Sequence, residues 1–97
     1  MTYSITYTRE ALSDLIAIST YLRERNPAAA KAVIQDIETA ISHLPDFPQL
    51  GVVSRRLTDV RRLVSSRYHY VVAYKVDTDR REVLIIAVFH PRQQKTV

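Results

Sequence analysis

"EVLIIAVFHPRQ", residues 82–93, sets seven consecutive apolar residues, Val83 to Phe89, directly before His90, Pro91 and Arg92. A short apolar run rich in β-branched side chains reads as a strand of the protein interior. Pro91 has no N–H to give to a ladder and fixes its own φ, so the strand stops there. The residue before a proline is kept extended, which holds His90 as well. The run therefore delivers a positioned histidine and an arginine to its end, and the fold follows from what can pair with it.

Upstream, "DTDRR" (77–81) is a polar turn favoured by its aspartates. Before it, "YHYVVAYKV" (68–76) alternates, with Tyr68, Tyr70, Val72, Tyr74 and Val76 on one face and His69, Val71, Ala73 and Lys75 on the other. "VRRLVS" (60–65) is a third, unusually basic strand. Three successive strands with short turns form an antiparallel meander.

The first half has a different period. Tyr3, Ile5 and Tyr7 alternate as a short strand, and Thr8 is placed to cap a helix with Glu10 in its first turn. Leu12, Leu15, Ile16, Ser19 and Leu22 recur at helical spacing over about 16 residues. Asn26-Pro27 ends that helix and starts another, Asn as cap and Pro at the first helical position. Ala30, Val33, Ile34, Ile37, Ile41 and Leu44 form the second stripe, so the two helices make an antiparallel hairpin. "LPDFPQLG" (44–51) breaks the pattern with two prolines and the only glycine, and a loop of about ten residues is expected after it. The expected architecture is α+β in a single domain, residues 1–97: an N-terminal strand, a helix hairpin, then the meander. The helices pack on one sheet face, against the Tyr/Val row.

Composition narrows the partners. The chain carries a net charge of +4, yet residues 1–50 sum to −2 and residues 51–97 to +6. Eleven of the fourteen basic residues are arginine, the side chain suited to carboxylate and phosphate forks. A basic half implies an anionic partner, either nucleic acid or an acidic protein segment. With no cysteine, disulfides and thiolate metal sites are excluded. The N-terminus lacks the layout of a signal peptide and no run approaches a membrane span, so a soluble cytoplasmic protein without membrane contact is expected.

Most catalytic patterns are missing. "DTDRRE" begins like a calcium loop but has no glycine and no twelve-residue spacing. His43, His69 and His90 show no metal-ligand spacing, one glycine cannot build a phosphate loop, and no nucleophile elbow is present. No metal and no cofactor are expected. The tyrosine row could stack bases, but one sheet face must lie under the helices, and that row is the better core. What remains is the basic set: Arg55, Arg56, Arg61, Arg62, Arg67, Lys75, Arg80, Arg81, Arg92 and Lys95, with His69 and His90. Arg61 and Arg62 are strand neighbours and face opposite ways.

The order of elements, "HLPDFPQLG" after the second helix, "VRRL" leading into "YHYVVAYKV", and "VLIIAVFHPRQ" at the end resemble the RelE/ParE toxin superfamily, most of all its ParE-like branch. The likeness covers nearly the whole chain. It implies the toxin of a bacterial type II toxin–antitoxin pair, held in a hetero-oligomeric complex by a small ParD-like antitoxin. Operator DNA would be reached only through that antitoxin. ParE-type members are described as inhibitors of DNA gyrase, and RelE-type members as ribosome-dependent messenger RNA endoribonucleases. A third reading is an antitoxin-binding co-repressor without toxicity.

The resemblance implies target binding by Arg61, Arg62, Arg67, His90 and Arg92, and antitoxin binding by Leu15, Ile16, Leu22, Ile37, Ile41, Arg55 and Arg56. A ribonuclease would use His90, Arg62 and Arg92. Ribonuclease members commonly carry a catalytic arginine in the strand that is "YHYVVAY" here, and no tyrosine follows His90. Cleavage of RNA needs a base, an acid and cations, and this chain supplies cations and one histidine. A gyrase inhibitor that acts by binding is therefore the leading expectation.

Overall fold

Two helices cover one face of a five-stranded sheet in the computed structural model, which describes residues 2–93. The elements run β1 (Ser4–Tyr7), α1 (Arg9–Arg25), α2 (Pro27–Ser42), β2 (Val52–Val53), β3 (Arg61–Val64), β4 (Val71–Asp77) and β5 (Glu82–Phe89). Their spatial order is β1-β5-β4-β3-β2, so the apolar β5 is an interior strand, as its composition requires. β1 pairs parallel with β5 and every other pair is antiparallel.

The caps are as expected. Thr8 Oγ1 accepts from the Ala11 amide at 3.1 Å, and Asn26 Oδ1 accepts from the Ala29 amide at 3.2 Å with Pro27 at the first helical position. The Tyr/Val row does face the helices: Val72 and Tyr74 pack with Val33, Ile37, Ile41 and Leu44, and Tyr68, Tyr70 and Val76 flank them.

Three expectations are corrected. The α1 stripe is turned by one position: Ala11, Leu15, Ile18 and Leu22 face the core, while Leu12 and Ile16 are exposed. Ala11 lets the helix approach the sheet closely, which leaves the adjacent apolar positions on its flank. Residues 68–70 are not strand: they belong to the β3–β4 turn, where His69 takes a left-handed φ of 60°. The loop after Gly51 also holds β2, two residues pairing with Arg61 and Arg62.

The fourth departure decides which way His90 faces. Ala73 pairs with Ala87 but Tyr74 pairs with Ile85, so Ile86 is an extra residue in β5. The bulge reverses the alternation beyond it. Val83, Ile85 and Val88 lie on the helix side, and Ala87 and Phe89 join Val60, Val71 and Ala73 in a second small core on the other face. No helix among the described residues is long and apolar enough to cross a membrane.

Candidate functional site

On the face away from the helices, β2, β3, the start of β4 and Pro91, two residues past the end of β5, form a groove of about 610 Å³. Its apolar wall is Val52, Val53, Val64, Val71 and Pro91; its polar side is Ser54, Arg55, Arg56 and Arg62. No carboxylate lines it, so three guanidinium groups set its field.

Local structure explains why the arginines stand there. Ser54 is buried, and its Oγ accepts from the amides of Arg56 at 3.2 Å and Leu57 at 3.3 Å. Its own amide donates to the Val60 carbonyl at 2.7 Å. This hydroxyl-centred turn projects Arg55 and Arg56 outward. Arg62 sits on the same face of β3, with its guanidinium carbon 5.6 Å from the centre of the buried Phe89 ring. Arg56, Leu57 and the valines of β2 are exposed, Val52 at 75%, which makes this sheet edge a free one.

The neighbouring Arg61 does something else. Its Nη1 donates to the Gly51 carbonyl at 2.8 Å and the Gln49 carbonyl at 3.3 Å, so it braces the loop before β2. Arg67 lies over Tyr68, 5.2 Å from the ring centre, in the β3–β4 turn. His90 turns toward the helix side, where its ring meets Tyr70 edge-on at 5.3 Å. Its Nδ1 accepts from the Arg92 amide at 3.1 Å, and its amide donates to Gln93 Oε1 at 2.9 Å. The expected target-binding residues are thus divided: Arg62 lines the groove, Arg61 and Arg67 are held elsewhere, and the sheet separates Arg62 from the His90 ring. Arg55 and Arg56, expected to meet the antitoxin, share the groove with Arg62. Lys95 lies outside the described residues.

A second surface runs between the helices. Leu15, Ile16, Ser19, Arg23 and Ile34 line a shallow depression, which continues along Pro27, Ala30, Lys31 and Glu38. Ile16 is 67% exposed there. Leu22 is half-buried against the core. Ile37 and Ile41 are buried under α2 at 0% and 4% exposure, so they secure the helix to the sheet and have almost no surface left for a partner.

Sequence reasoning missed Ser54, the β2 valines and Pro91 as groove components. The signal available was "SRR" after two valines, a small hydroxyl ahead of paired arginines. Among the described residues there is no cluster of three or more metal-ligating side chains.

Two helices packed on a mixed five-stranded sheet are the fold of the RelE/ParE toxins. Superposition on a structure described as a chromosomal ParDE system from P. aeruginosa gives a TM-score of 0.79 at 25% identity, covering 92% of this chain and 96% of that one. The RelBE2 toxin–antitoxin complex of Mycobacterium tuberculosis gives 0.61 at 26% identity, covering 93% and 99%. The intact E. coli RelBE complex gives 0.65 at 15% identity, covering 94% and 99%, and shares the fold. The Sinorhizobium fredii protein Y4kP, which carries a toxin designation, is 33% identical over 90 residues, 93% of this chain and 90% of that protein. The chain belongs to the family described as the ParE toxin of the type II toxin–antitoxin system parDE, whose pattern matches residues 5–95.

Proposed function

We propose that this toxin inhibits DNA gyrase by binding, and that the groove of Arg55, Arg56 and Arg62 is the surface it uses. The observation that carries this is the separation of charge from proton chemistry. Three arginines converge on an apolar-walled groove with no carboxylate and no histidine in its lining, while His90 is turned to the other face against Tyr70. Such a surface suits an acidic protein patch with apolar residues, where desolvated arginines act as binding hot spots. A nuclease built from Arg62, His90 and Arg92 would need the histidine and the arginine on one side of the substrate. Likeness to the P. aeruginosa ParDE structure supports the ParE-like branch.

The partner that neutralises it is a ParD-like antitoxin. The depression with Ile16 accepts an amphipathic helix, and the free β2 edge accepts an extended acidic segment. A segment lying over Arg55 and Arg56 would also cover Arg62, so antitoxin and target would compete for one groove.

The deciding experiment is a supercoiling assay with purified gyrase and the full chain. Dose-dependent loss of supercoiling, weakened at least tenfold by Arg62→Ala and reversed by the antitoxin, is the expected result. Undisturbed supercoiling together with cleavage of messenger RNA on purified ribosomes would overturn the proposal.

A further inference from the structure

The end of the groove formed by Val64, Val71 and Pro91 is assembled by parts that do not touch one another in sequence. Val64 closes β3 and Val71 opens β4, so the turn between them, residues 65–70, sets their separation. That turn is held from the opposite layer. Asp36, buried on α2, accepts the Tyr68 amide on Oδ2 at 2.7 Å and the Arg67 amide on Oδ1 at 3.2 Å, and Ser65 bonds to it as well. Ser65, fully buried, in turn accepts the Tyr70 amide on Oγ at 2.9 Å. The turn needs such a clamp because His69 is held at a positive φ that a non-glycine residue adopts at a cost.

The same clamp reaches the third element. Tyr70 leaves the turn with its ring against His90, and His90 precedes Pro91 in the groove wall. We propose that Asp36 is a positioning residue for the target-binding groove: from the helix side of the sheet it fixes the β3–β4 turn, and through it Val64, Val71 and Pro91. The functional half of this statement rests on the groove being the gyrase-binding surface. The structural half does not.

Two carboxylate oxygens facing two adjacent amides are matched in charge and geometry, and no other side chain supplies both acceptors at that reach. Asparagine keeps one acceptor and places an NH₂ against the other amide, and alanine removes both. A partner seated on α2 would bias the groove through this contact, which joins the layer offered to the antitoxin with the face offered to the target.

The test compares Asp36→Asn and Asp36→Ala with the full-length chain by NMR and supercoiling inhibition. Val76→Ala, at the far end of β4, is the control for general destabilisation. Expected for Asp36→Ala are at least tenfold faster exchange of the Arg67 and Tyr68 amides, displaced Val64 and Val71 methyl signals, and a displaced His90 ring signal. The amides of β5 should keep their protection, and inhibition should weaken about as much as in Arg62→Ala. Asp36→Asn should fall between alanine and the parent. Should alanine fail to fold, Asp36→Asn and Ser65→Ala carry the same readouts. Unmoved Val64, Val71 and His90 signals, or shifts matched by Val76→Ala, overturn the positioning role. Moved signals with unaffected inhibition, when Arg62→Ala is also fully active, keep the clamp and reject the groove as the target surface. Moved signals with full inhibition while Arg62→Ala is inactive overturn the functional role of Asp36.

Discussion

The Tyr74 hydroxyl accepts a hydrogen bond from the Gly51 amide at 2.7 Å, joining the centre of β4 to the only glycine of the chain. A side chain at residue 51 would stand 2.8 Å from that hydroxyl, 2.9 Å from the ring and 3.0 Å from the Arg62 backbone. Burial pushes the Tyr74 phenol up from its ordinary pKa, against the opposing pull of the Gly51 amide and of Arg61. The hydroxyl therefore stays protonated and accepting. Gly51→Ala is expected to destabilise the chain by about 1–3 kcal/mol through overpacking. Tyr74→Phe should cost about 1–3 kcal/mol by leaving the amide unsatisfied. Urea unfolding of both variants checks this, and a stable Gly51→Ala would mean that the loop yields freely.

Adjacent arginines should behave oppositely. Arg61→Ala releases the Gln49 and Gly51 carbonyls and is expected to lower stability by roughly 1 kcal/mol. Arg62→Ala should stay within about 0.5 kcal/mol of the parent while losing inhibition. Parallel melting and supercoiling measurements separate the two.

Ile16 and Ile37 differ in the same manner. Ile37→Ala empties a fully buried position and should cost about 2–5 kcal/mol. Ile16→Asp, at an exposed site, should leave melting nearly unchanged and weaken antitoxin binding at least tenfold by calorimetry. An Ile16→Asp chain with full antitoxin affinity would place the antitoxin elsewhere.

Replacing both His90 and Arg92 with alanine removes the Tyr70 contact and the acceptor for the Arg92 amide. With Pro91, which lines the groove, no longer steadied by the His90–Tyr70 contact, toxicity in cells should weaken several-fold at equal expression, with folding retained. Under the ribonuclease reading His90→Ala alone would abolish cleavage, since loss of an acid or base costs about 100–10,000-fold. Measured cleavage before and after that substitution separates the readings.

Stability should depend on Asp36 ionisation. Desolvation alone would raise its pKa, but hydrogen bonds from Ser65 and the Tyr68 and Arg67 amides, together with the Arg67 charge, outweigh it and lower the pKa. A depressed folded-state pKa stabilises the fold above the ordinary carboxylate value and loses that contribution as pH falls through the folded-state value. The stability gap between the parent and Asp36→Asn should therefore be widest near neutrality and close in acid. A gap constant across the carboxylate range would show that the charge is not involved.

Much of this molecule was written locally. Thr8 and Asn26-Pro27 mark the helix starts by capping chemistry, the apolar run of β5 marks the interior strand, and the charge imbalance marks the basic half. These depend on neighbours in sequence, so periodicity and composition reveal them. The buried α1 stripe lies one position from the one its periodicity suggests because Leu12 and Ile16 are as apolar as the residues that are buried; only docking on the sheet selects among them.

Which face a side chain takes, and which distant residues meet, depend on how the elements are assembled. The sequence alone determined that His90 and Arg92 follow a buried strand, but the side on which His90 emerges depends on the extra residue Ile86. Both faces of β5 are apolar, so a one-residue bulge leaves no trace in the hydrophobic pattern. Likewise, that Arg61 and Arg62 face apart follows from strand geometry. That one braces a loop and the other lines a groove with Arg55 and Arg56 follows from β2 folding back beside β3, a pairing of two residues too short to carry a period. The Asp36 clamp spans 32 residues to Tyr68 and becomes visible only once α2 is laid across the sheet, because nothing in a solitary aspartate names the amides that it will satisfy.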